Sequence, residues 1–290
     1  MMKDKIIKII LVLTGLAVLG YCIYVGMQVG KKEVHRLTIL HVNDTHSNNE
    51  PNRSGELAGL GGSLERAAYV DSVRKADGPE NVLLLHAGDF FQGSSYFSEF
   101  GGKVEIALLN AIGYDAVTLG NHEFDNGLEA LAERLSSLEM PVVVCNYDFS
   151  PLELGKYVNP YVIVEKAGLR IGIVGVTCSL RSMVQADISN RLSELDMVSS
   201  VQKYVDEIRP RCDYVIALTH IGYTEHNPGD ITDPMLVAAT RGIDYVVGGH
   251  SHTFLTEPDF VKNLDGEPVP IVQTGWTGSY MGETHVTVRK

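Results

Sequence analysis

Residues that can bind metal ions or transfer protons occur in five short clusters along the chain. The clusters are Asp44-Thr45-His46, Gly88-Asp89, residues 120–125 (Gly-Asn-His-Glu-Phe-Asp), Thr219-His220 and residues 249–252 (Gly-His-Ser-His). Each follows a run of apolar, β-prone residues, and α/β folds bind ligands at the carboxyl ends of their strands. We therefore expect the clusters to converge at one edge of a sheet. Their donors can hold two divalent metal ions that share a bridging carboxylate, which predicts a dinuclear metal hydrolase.

The run at residues 120–125 is the most specific of the five clusters. Asn121 offers a neutral amide oxygen to a metal ion, whereas His122 would point elsewhere, toward a phosphate oxygen or a leaving group. Asp125 can hydrogen-bond the His122 imidazole and hold it oriented and charged. The structural alternative is a helix start, with Asn121 as the cap and Glu123 near the positive end of the helix dipole. The complete run favours the catalytic interpretation.

The two earlier clusters are weaker when each is taken alone. An Asp-x-His such as Asp44 and His46 is often a simple turn, and an Asp after a strand often caps the next helix. Their positions directly after apolar strands favour metal binding. Asp89 is the best candidate for the bridging carboxylate, because it stands alone and Gly88 allows the backbone to turn sharply.

The two later clusters contribute imidazoles. His250 and His252 are two residues apart, so in an extended stretch they share a side and can serve adjacent ions. His220 adds a further histidine at a strand end. No role is assigned to the remaining histidines, which are His35, His41, His86, His226 and His285.

Strands and helices are predicted to alternate from residue 36 onward. Strands are expected at 37–42, 82–85, 116–119, 142–145, 162–165, 170–176, 214–218, 245–247, 270–273 and 284–289. Helices are expected at 62–75, 103–112, 128–138, 198–208 and 234–240. The pair of strands around residues 166–169 forms a hairpin in the middle of the chain. This order predicts an α/β fold with two packed sheets covered by helices.

Composition limits the partners that this chain can bind. The 290 residues carry a formal net charge of −12, with no cluster of Lys and Arg. Nucleic-acid polymers are therefore not expected, because phosphate backbones are held by clustered basic residues. A small phosphate ester remains possible if metal ions supply the local positive charge.

The N-terminus predicts a membrane or export signal. Lys3, Lys5 and Lys8 precede an uncharged apolar stretch at residues 9–29, which is long enough to span a bilayer. A signal anchor fits best, with a cleaved signal peptide or a lipoprotein signal as alternatives. All three place the remaining chain outside the cytoplasm, in the periplasm or at the cell surface. We therefore expect a signal segment at residues 1–30 and a catalytic domain at residues 36–290.

The cysteines do not suggest a metal knuckle. They are Cys22, Cys145, Cys178 and Cys212, and none forms a CxxC pair. Unpaired buried thiols are expected, although one disulfide is also compatible with the sequence.

Together these clusters resemble the calcineurin-like metallophosphoesterases, and within them the N-terminal catalytic domain of the 5′-nucleotidase and UDP-sugar hydrolase family. The resemblance extends from Arg36 to the C-terminus and is carried by residues 41–46, 88–89, 120–125 and 249–252. It implies a four-layer α/β/β/α sandwich and a centre of two divalent ions, with Zn, Mn, Co and Fe all compatible. It also implies His122 and Asp125 as the catalytic pair.

The resemblance further implies how the ligands divide between the two ions. One ion would be bound by Asp44, His46, Asp89 and His252. The other would be bound by Asp89, Asn121, His220 and His250. Many members of the family carry Gln at the position of His252, so the metal preference of this chain can differ.

Family members of this type carry a second, C-terminal domain that supplies an aromatic clamp for the nucleobase. No such domain follows in the sequence up to Lys290. We therefore expect a 5′-nucleotidase-like phosphatase without its own specificity domain, or the catalytic half of a two-chain nucleotidase. The substrate is expected to be a small phosphoester, with nucleotides favoured. A metal-dependent binding scaffold without turnover is the alternative from another class, although all nine candidate positions are retained.

Overall fold

The computed structural model describes Tyr21 and residues 33–290. Residues Arg36–Val286 form one compact unit, and the described residues outside it, which are Tyr21, 33–35 and 287–290, belong to a second. All candidate site residues belong to the first unit.

Short strands and helices alternate along the chain. The strands are β1 (Val34–Val42), β2 (Val82–His86), β3 (Ala116–Val117), β4 (Val142–Val143), β5 (Tyr147–Asp148), β6 (Val158–Asn159), β7 (Tyr161–Lys166), β8 (Leu169–Thr177), β9 (Ser193–Glu194), β10 (Tyr214–His220), β11 (Tyr245–Val247), β12 (Asp259–Lys262), β13 (Pro268–Val272) and β14 (Gly282–Arg289). The helices are α1 (Ser63–Asp77), α2 (Ser95–Phe100), α3 (Lys103–Ile112), α4 (Leu128–Leu135), α5 (Ala186–Ser189), α6 (Met197–Ile208) and α7 (Asp233–Ala238).

The first sheet has six strands in the order β14-β1-β2-β3-β4-β6. Neighbours from β1 to β6 run parallel, so their carboxyl ends lie at one edge. Every residue of β2 is buried, as expected for a parallel strand covered on both faces. This sheet places the residues that follow β1, β2 and β3 next to one another.

The second sheet also has six strands, in the order β12-β13-β11-β10-β8-β7. Its four central strands are parallel, whereas β7 and β12 pair antiparallel at the two edges. The predicted central hairpin is present as β7 and β8, and its turn has positive φ at Ala167 and Gly168, as tight two-residue hairpin turns require. The carboxyl ends of β10 and β11 therefore share an edge as well.

Two apolar clusters hold helices against the sheets. The first combines Leu40 and Val42 of β1 with residues from α1, α3 and α4, including Leu131. The second combines Val215 of β10 with residues from α6 and α7, including Val205. These contacts confirm the predicted α/β class.

The two sheets come close together where β8 passes β4. A Cβ atom on Gly175 would lie 1.9 Å from the carbonyl oxygen of Val143. The backbone N–H of Cys145 donates to the carbonyl oxygen of Gly175 at 2.8 Å, so the two sheets touch through their backbones. Thr118 adds a further link, because its Oγ1 lies 2.8 Å from the carbonyl oxygen of Val143 in the first sheet and 3.4 Å from that of Val176 in the second. Only glycine leaves room for this approach.

Several boundaries differ from the sequence-based expectation. The predicted strands at 116–119 and 142–145 are shorter, because their last residues bend away into the loops at the sheet edge. The predicted helix at 128–138 ends at Leu135. Helices α2 and α5, strand β12 and the small β5–β9 pair were not predicted, since short elements carry too few residues for a periodic pattern.

Two further expectations concerned unpaired cysteines and an N-terminal signal segment. Cys145, Cys178 and Cys212 are buried free thiols, as the unpaired alternative expects. Within the part of the chain that the structure describes, no helix is long and apolar enough to cross a membrane. The predicted signal segment at residues 1–30, apart from Tyr21, and Cys22 with it, lie outside the described residues.

The close approach at Gly175 predicts an unequal response to two substitutions in one strand. Gly175→Ala should lower the free energy of unfolding by about 3 kcal/mol or more, because backbone must move to admit the new methyl group. Gly172→Ala is the control: its Cβ would meet Ile208 Cδ1 at 2.5 Å, the flexible end of a side chain that can rotate away. That variant should lose about 1 kcal/mol. Urea unfolding followed by circular dichroism measures both, and equal losses would contradict the prediction.

Candidate metal centre

All nine predicted site residues lie in loops or strand ends at the carboxyl edges of the two sheets. From the first sheet, Asp44 and His46 follow β1, Asp89 follows β2, and Asn121, His122 and Asp125 follow β3. From the second sheet, His220 ends β10, and His250 and His252 follow β11.

The backbone at this edge is held in an uncommon conformation. Five of the nine residues have positive φ: Asp44 (48°), His46 (46°), Asp89 (54°), His250 (81°) and His252 (54°). Residues with a Cβ rarely adopt the left-handed region, and each such residue costs about 1–3 kcal/mol. Five of them at one place indicate that the fold holds these side chains in position at the expense of local stability.

One group of donors surrounds Asp44. Nε2 of His252 lies 3.4 Å from Asp44 Oδ1, and it lies 3.1 Å from Nε2 of His46. The ligand atoms of the three residues all fall within 4.8 Å of one another. Two histidines and a carboxylate at this spacing form a set that one transition-metal ion can occupy.

A second region of donors surrounds Asp89. Its Oδ2 lies 3.1 Å from Nε2 of His220. Asp89 groups with His220 and His250 on one side, and with His46 and His122 on the other. Asp89 therefore lies between two sets of donors, as a bridging carboxylate would.

Burial and charge explain the ionisation of this cluster. Burial opposes the charged form of Asp89, yet the neighbouring histidines, His220 above all, hold the pKa of Asp89 below its ordinary value. The pKa of Asp44 is lowered as well, again with His220 as the main cause opposing burial. Burial would lower the pKa of His220, but the carboxylates of Asp89 and Asp44 raise it to about 10. The two buried carboxylates thus favour the charged form of His220, which offsets part of their charge.

The orientation of His220 suits a metal ligand. Its Nδ1 donates to the carbonyl oxygen of Ala87 at 2.7 Å, which turns Nε2 toward the carboxylates. A hydrogen bond from the second ring nitrogen is how proteins usually orient a ligating histidine. Binding of a metal ion requires this imidazole to release its proton.

The residues fit a pair of divalent cations. Nε2 of His220 is buried without a hydrogen-bond partner of good geometry, and the Nε2 atoms of His46, His220 and His252 converge on two carboxylates that are almost fully buried. The hydrogen bonds that Asp44 and Asp89 accept from Asn43 and from the backbone of His122 offset only part of their mutual repulsion, so cations are needed as well. Imidazole and carboxylate donors of this kind are typical ligands for Zn, Mn, Co or Fe.

Asn121 reaches the same edge from the first sheet. Its side chain is buried, and its Oδ1 lies 3.8 Å from the Sγ of Cys178 in a weak thiol contact. The amide oxygen has no stronger partner among the described residues, so it is free to serve as a metal ligand. Burial raises the pKa of the Cys178 thiol, which keeps this cysteine neutral.

His122 and Asp125 form the predicted pair. Nδ1 of His122 lies 2.8 Å from Asp125 Oδ2, and the backbone N–H of His122 donates to Asp89 Oδ1 at 2.9 Å. Burial would lower the pKa of His122, but the hydrogen bond to Asp125 and the charge of Asp89 raise it above its ordinary value. The side chain of His122 is 31% exposed, so it can reach a substrate.

Glu123 has a structural role that the sequence analysis missed. Its buried carboxylate accepts hydrogen bonds from the backbone N–H groups of Asp89, Phe90, Phe91 and Gly120, at 2.6 to 3.1 Å. It therefore fixes the loop that carries Asp89 relative to the loop that carries His122. No local pattern indicated this role, because its partners at residues 89–91 are more than thirty positions away.

Asn43 and Gln273 were missed as well. Asn43 Nδ2 donates to Asp44 Oδ2 at 2.6 Å and to the carbonyl oxygen of Gly275 at 2.7 Å. Gln273 Nε2 donates to the carbonyl oxygen of Gly249 at 2.8 Å. Each amide thus ties a loop with candidate ligands to the segment after β13. Asn43 immediately precedes Asp44, and this adjacency was the one signal that could have found it.

The histidines without an assigned role lie outside the ligand groups. His86 is buried, its Nε2 lies 3.2 Å from Thr45 Oγ1, and burial lowers its pKa to about 3. His41 is buried in the same way, and its pKa falls to about 4. His226 comes nearest, because its ring lies 5.2 Å from that of His250.

Known proteins with the same architecture match this chain. A family model described as calcineurin-like phosphoesterase matches residues 37–254. Snake venom 5′-nucleotidase of Gloydius brevicauda is 34% identical over 92% of this chain and 47% of its own length. The 5′-nucleotidase precursor of Thermus thermophilus has 34% identity and a TM-score of 0.78, covering 87% of this chain and 51% of that one. The Haemophilus influenzae NAD nucleotidase has 28% identity and a TM-score of 0.74, covering 88% and 48%.

The chain spans about half the length of these relatives. The matched region contains all five clusters of candidate ligands and catalytic residues, from the loop after β1 to the loop after β11. The chain belongs to the calcineurin-like phosphoesterase family.

Proposed function

We propose that this chain hydrolyses phosphate monoesters at a dinuclear metal centre, with nucleoside 5′-monophosphates as its substrate class. The observation that carries the proposal is the position of Asp89, which lies between two sets of histidine donors. Membership of the calcineurin-like phosphoesterases supports the reaction, since that family uses a centre of two divalent ions. The nucleotide class is supported by relatives that are named 5′-nucleotidase and NAD nucleotidase.

The proposed ligand sets follow the two donor groups. Asp44, His46, Asp89 and His252 would hold one ion. Asp89, Asn121, His220 and His250 would hold the other. When bound, such ions neutralise phosphoryl charge and lower the pKa of a water molecule that acts as the nucleophile.

The protein side chains would assist the metal ions at the phosphoryl group. The hydrogen bond to Asp125 favours the charged form of His122, which can donate a hydrogen bond to a phosphoryl oxygen or a proton to the departing alcohol. Its backbone N–H is fixed on Asp89, which sets the distance between the imidazole and the proposed bridging carboxylate. Such positioning contributes to catalysis only if the loops of Asp89 and His122 keep their relative position. Glu123 keeps it by accepting the backbone N–H groups of Asp89 and Gly120.

A cavity beside the centre can accommodate the leaving group. It has a volume of about 410 Å³ and begins at Cys178, next to Asn121, and at Ile221, next to His220. Met183 and Leu195 contribute apolar wall, as a planar base requires. This volume lies within the range of about 300–1,000 Å³ that is typical of small-molecule sites.

Arg181 is the basic residue of this cavity. The acidic residues of the wall are engaged locally; for example, Asp196 accepts the backbone N–H of Ser199, and Asp230 accepts that of Asn227. Arg181 has no ion-pair partner among the described residues. Its guanidinium is therefore available to stack on a base or to hydrogen-bond its polar edge.

The location of the chain, its layer order and a partner chain are also proposals. Residues 1–30 would anchor or export the chain, so that the catalytic domain at residues 36–290 acts outside the cytoplasm, as the basic start and the apolar stretch favour. The four-layer α/β/β/α order is supported by helices that pack against each of the two sheets. A separate chain that supplies a specificity domain is a further part of this proposal.

Removal of the bridging carboxylate tests the metal centre. Asp89→Asn keeps the shape of the side chain but removes a charge, so we expect loss of at least one bound ion and a decrease in AMP hydrolysis of more than about 100-fold. Metal content is measured by mass spectrometry after dialysis against Mn²⁺, and activity by phosphate release, with EDTA as the complete block. Asp71→Asn, on the exposed surface of α1, is the matched control. Full activity of wild type in EDTA would refute the proposal.

Substitution of His122 separates catalysis from metal binding. His122→Asn should lower kcat for AMP by about 100- to 1,000-fold, as the loss of a general acid does, while both ions remain bound. His285→Asn removes an imidazole that is 66% exposed and should leave kcat unchanged. If His122→Asn lost its metal instead, His122 would be a ligand and its proposed role would be wrong.

The cavity predicts a substrate-dependent effect of Arg181. Arg181→Ala should raise KM for AMP by about tenfold, which corresponds to one lost interaction with a charged group. KM for ethyl phosphate should stay the same, because its alcohol is too small to reach Arg181. Arg241→Ala, whose guanidinium pairs with Asp265 outside the cavity, is the control. An equal change for both esters would place the leaving group elsewhere.

A further inference from the structure

His252 differs from the other proposed histidine ligands in its exposure. Its side chain is 39% exposed, whereas that of His46 is 9% exposed and that of His220 is fully buried. His250 is also buried. Close packing holds the three buried imidazoles in one orientation, but it cannot hold His252.

His252 also lacks the hydrogen bond that usually orients a ligating histidine. Nδ1 of His220 donates to a backbone carbonyl. Among the described residues, Nδ1 of His252 has no such partner, and its contacts to Asp44 and His46 are made through Nε2. The imidazole of His252 therefore needs another support if Nε2 is to remain directed at the site.

Trp276 provides that support. Its indole stacks on the His252 imidazole with ring centroids 5.4 Å apart and an angle of 9° between the planes. This is a parallel arrangement over the face of the imidazole, and it leaves the edge with Nε2 open. Aromatic pairs of this geometry contribute about 0.5–1.5 kcal/mol beyond burial of their area.

The backbone around Trp276 is fixed to the loop that carries Asp44. The N–H of Thr277 donates to the carbonyl oxygen of Asp44 at 2.7 Å, and Asn43 donates to the carbonyl oxygen of Gly275 at 2.7 Å. The N–H of Gly275 in turn donates to the carbonyl oxygen of Thr253, next to His252. The backbone is thus anchored on both sides of Trp276, although 49% of the residue's surface is exposed.

We propose that Trp276 is a positioning residue that holds His252 in the orientation required for metal binding. The inference rests on the proposed ligand set, in which His252 binds the same ion as Asp44 and His46. Stacking by Trp276 does for this exposed histidine what burial and a hydrogen bond do for His220. Loss of the indole should therefore weaken one metal site and leave the other, more buried site intact.

The sequence offers a direct reporter, because Trp276 is the only tryptophan in the chain. Co²⁺ quenches indole emission at short range. Addition of CoCl₂ to the EDTA-stripped wild-type chain should decrease the emission in step with metal binding and saturate by two equivalents. Unchanged emission while Co²⁺ binds would overturn the inference. Absence of Co²⁺ binding by wild type would overturn the metal centre and the inference with it.

Calorimetric titration with Co²⁺ measures the contribution of the indole to affinity. Trp276→Ala should weaken binding of one ion by about tenfold and leave the second ion unchanged, within the range for residues that orient metal ligands. Trp276→Phe keeps a ring on His252 and should restore most of the affinity. Tyr280→Ala is the control, because this exposed ring pairs with Phe254 and does not contact His252.

Three outcomes of the titration would overturn the inference: wild-type affinity in Trp276→Ala, equal losses in the Ala and Phe variants, or an equal loss in Tyr280→Ala. Circular dichroism melting checks the fold of each variant. If Trp276→Ala does not fold, the Phe variant and the wild-type emission decide. These readouts need no turnover, so a failure of AMP hydrolysis alone would count against the substrate and not against the role of Trp276.

Discussion

Two buried carboxylates determine the organisation of this structure. Asp44 is fully buried and Asp89 nearly so, and both approach His220 from the same sheet. Buried like charges are unfavourable unless cations and hydrogen bonds compensate them. The second sheet provides His220, His250 and His252 for this purpose, so the junction of the sheets is held by electrostatics as well as by apolar packing. A fold that did not bring the two sheet edges together could not bury these carboxylates.

The compensation depends on backbone precision. Glu123 fixes the loops of Asp89 and His122 to each other by accepting four N–H groups. Gly175 allows the sheets to touch through their backbones. The left-handed conformations of the ligand residues cost free energy, and only this surrounding network makes them persist. The backbone at the site is therefore locally unfavourable, and the two apolar clusters and the surrounding hydrogen bonds stabilise the fold enough to offset this cost.

The sequence predicted the parts of this arrangement that are local. Strand ends followed by Asp, Asn or His identified the nine candidate residues, and alternating apolar patterns identified most of the long strands and helices. The supports were not predictable in the same way. Glu123 acts on residues 89–91, and Trp276 acts on His252 from another loop, so both roles arise from contacts between distant segments. Such contacts leave no periodic signal in one sequence. Asn43 was within reach, because it directly precedes a predicted ligand.

The two sides of the centre differ in rigidity, and this difference bears on how a substrate enters. The side chain of His220 is fully buried, so it cannot contact an ester directly, whereas His252 and His122 border solvent. A phosphoryl group must therefore arrive along the exposed side, past His252, which is the most exposed of the four proposed histidine ligands and, among the described residues, has no hydrogen bond at Nδ1 to orient it. Entry at that point would displace an unrestrained imidazole. The stacked indole of Trp276 restrains the His252 imidazole from its face and leaves the edge with Nε2 free to bind the metal. His252 can therefore border the route by which the substrate enters and still keep the orientation that metal binding requires.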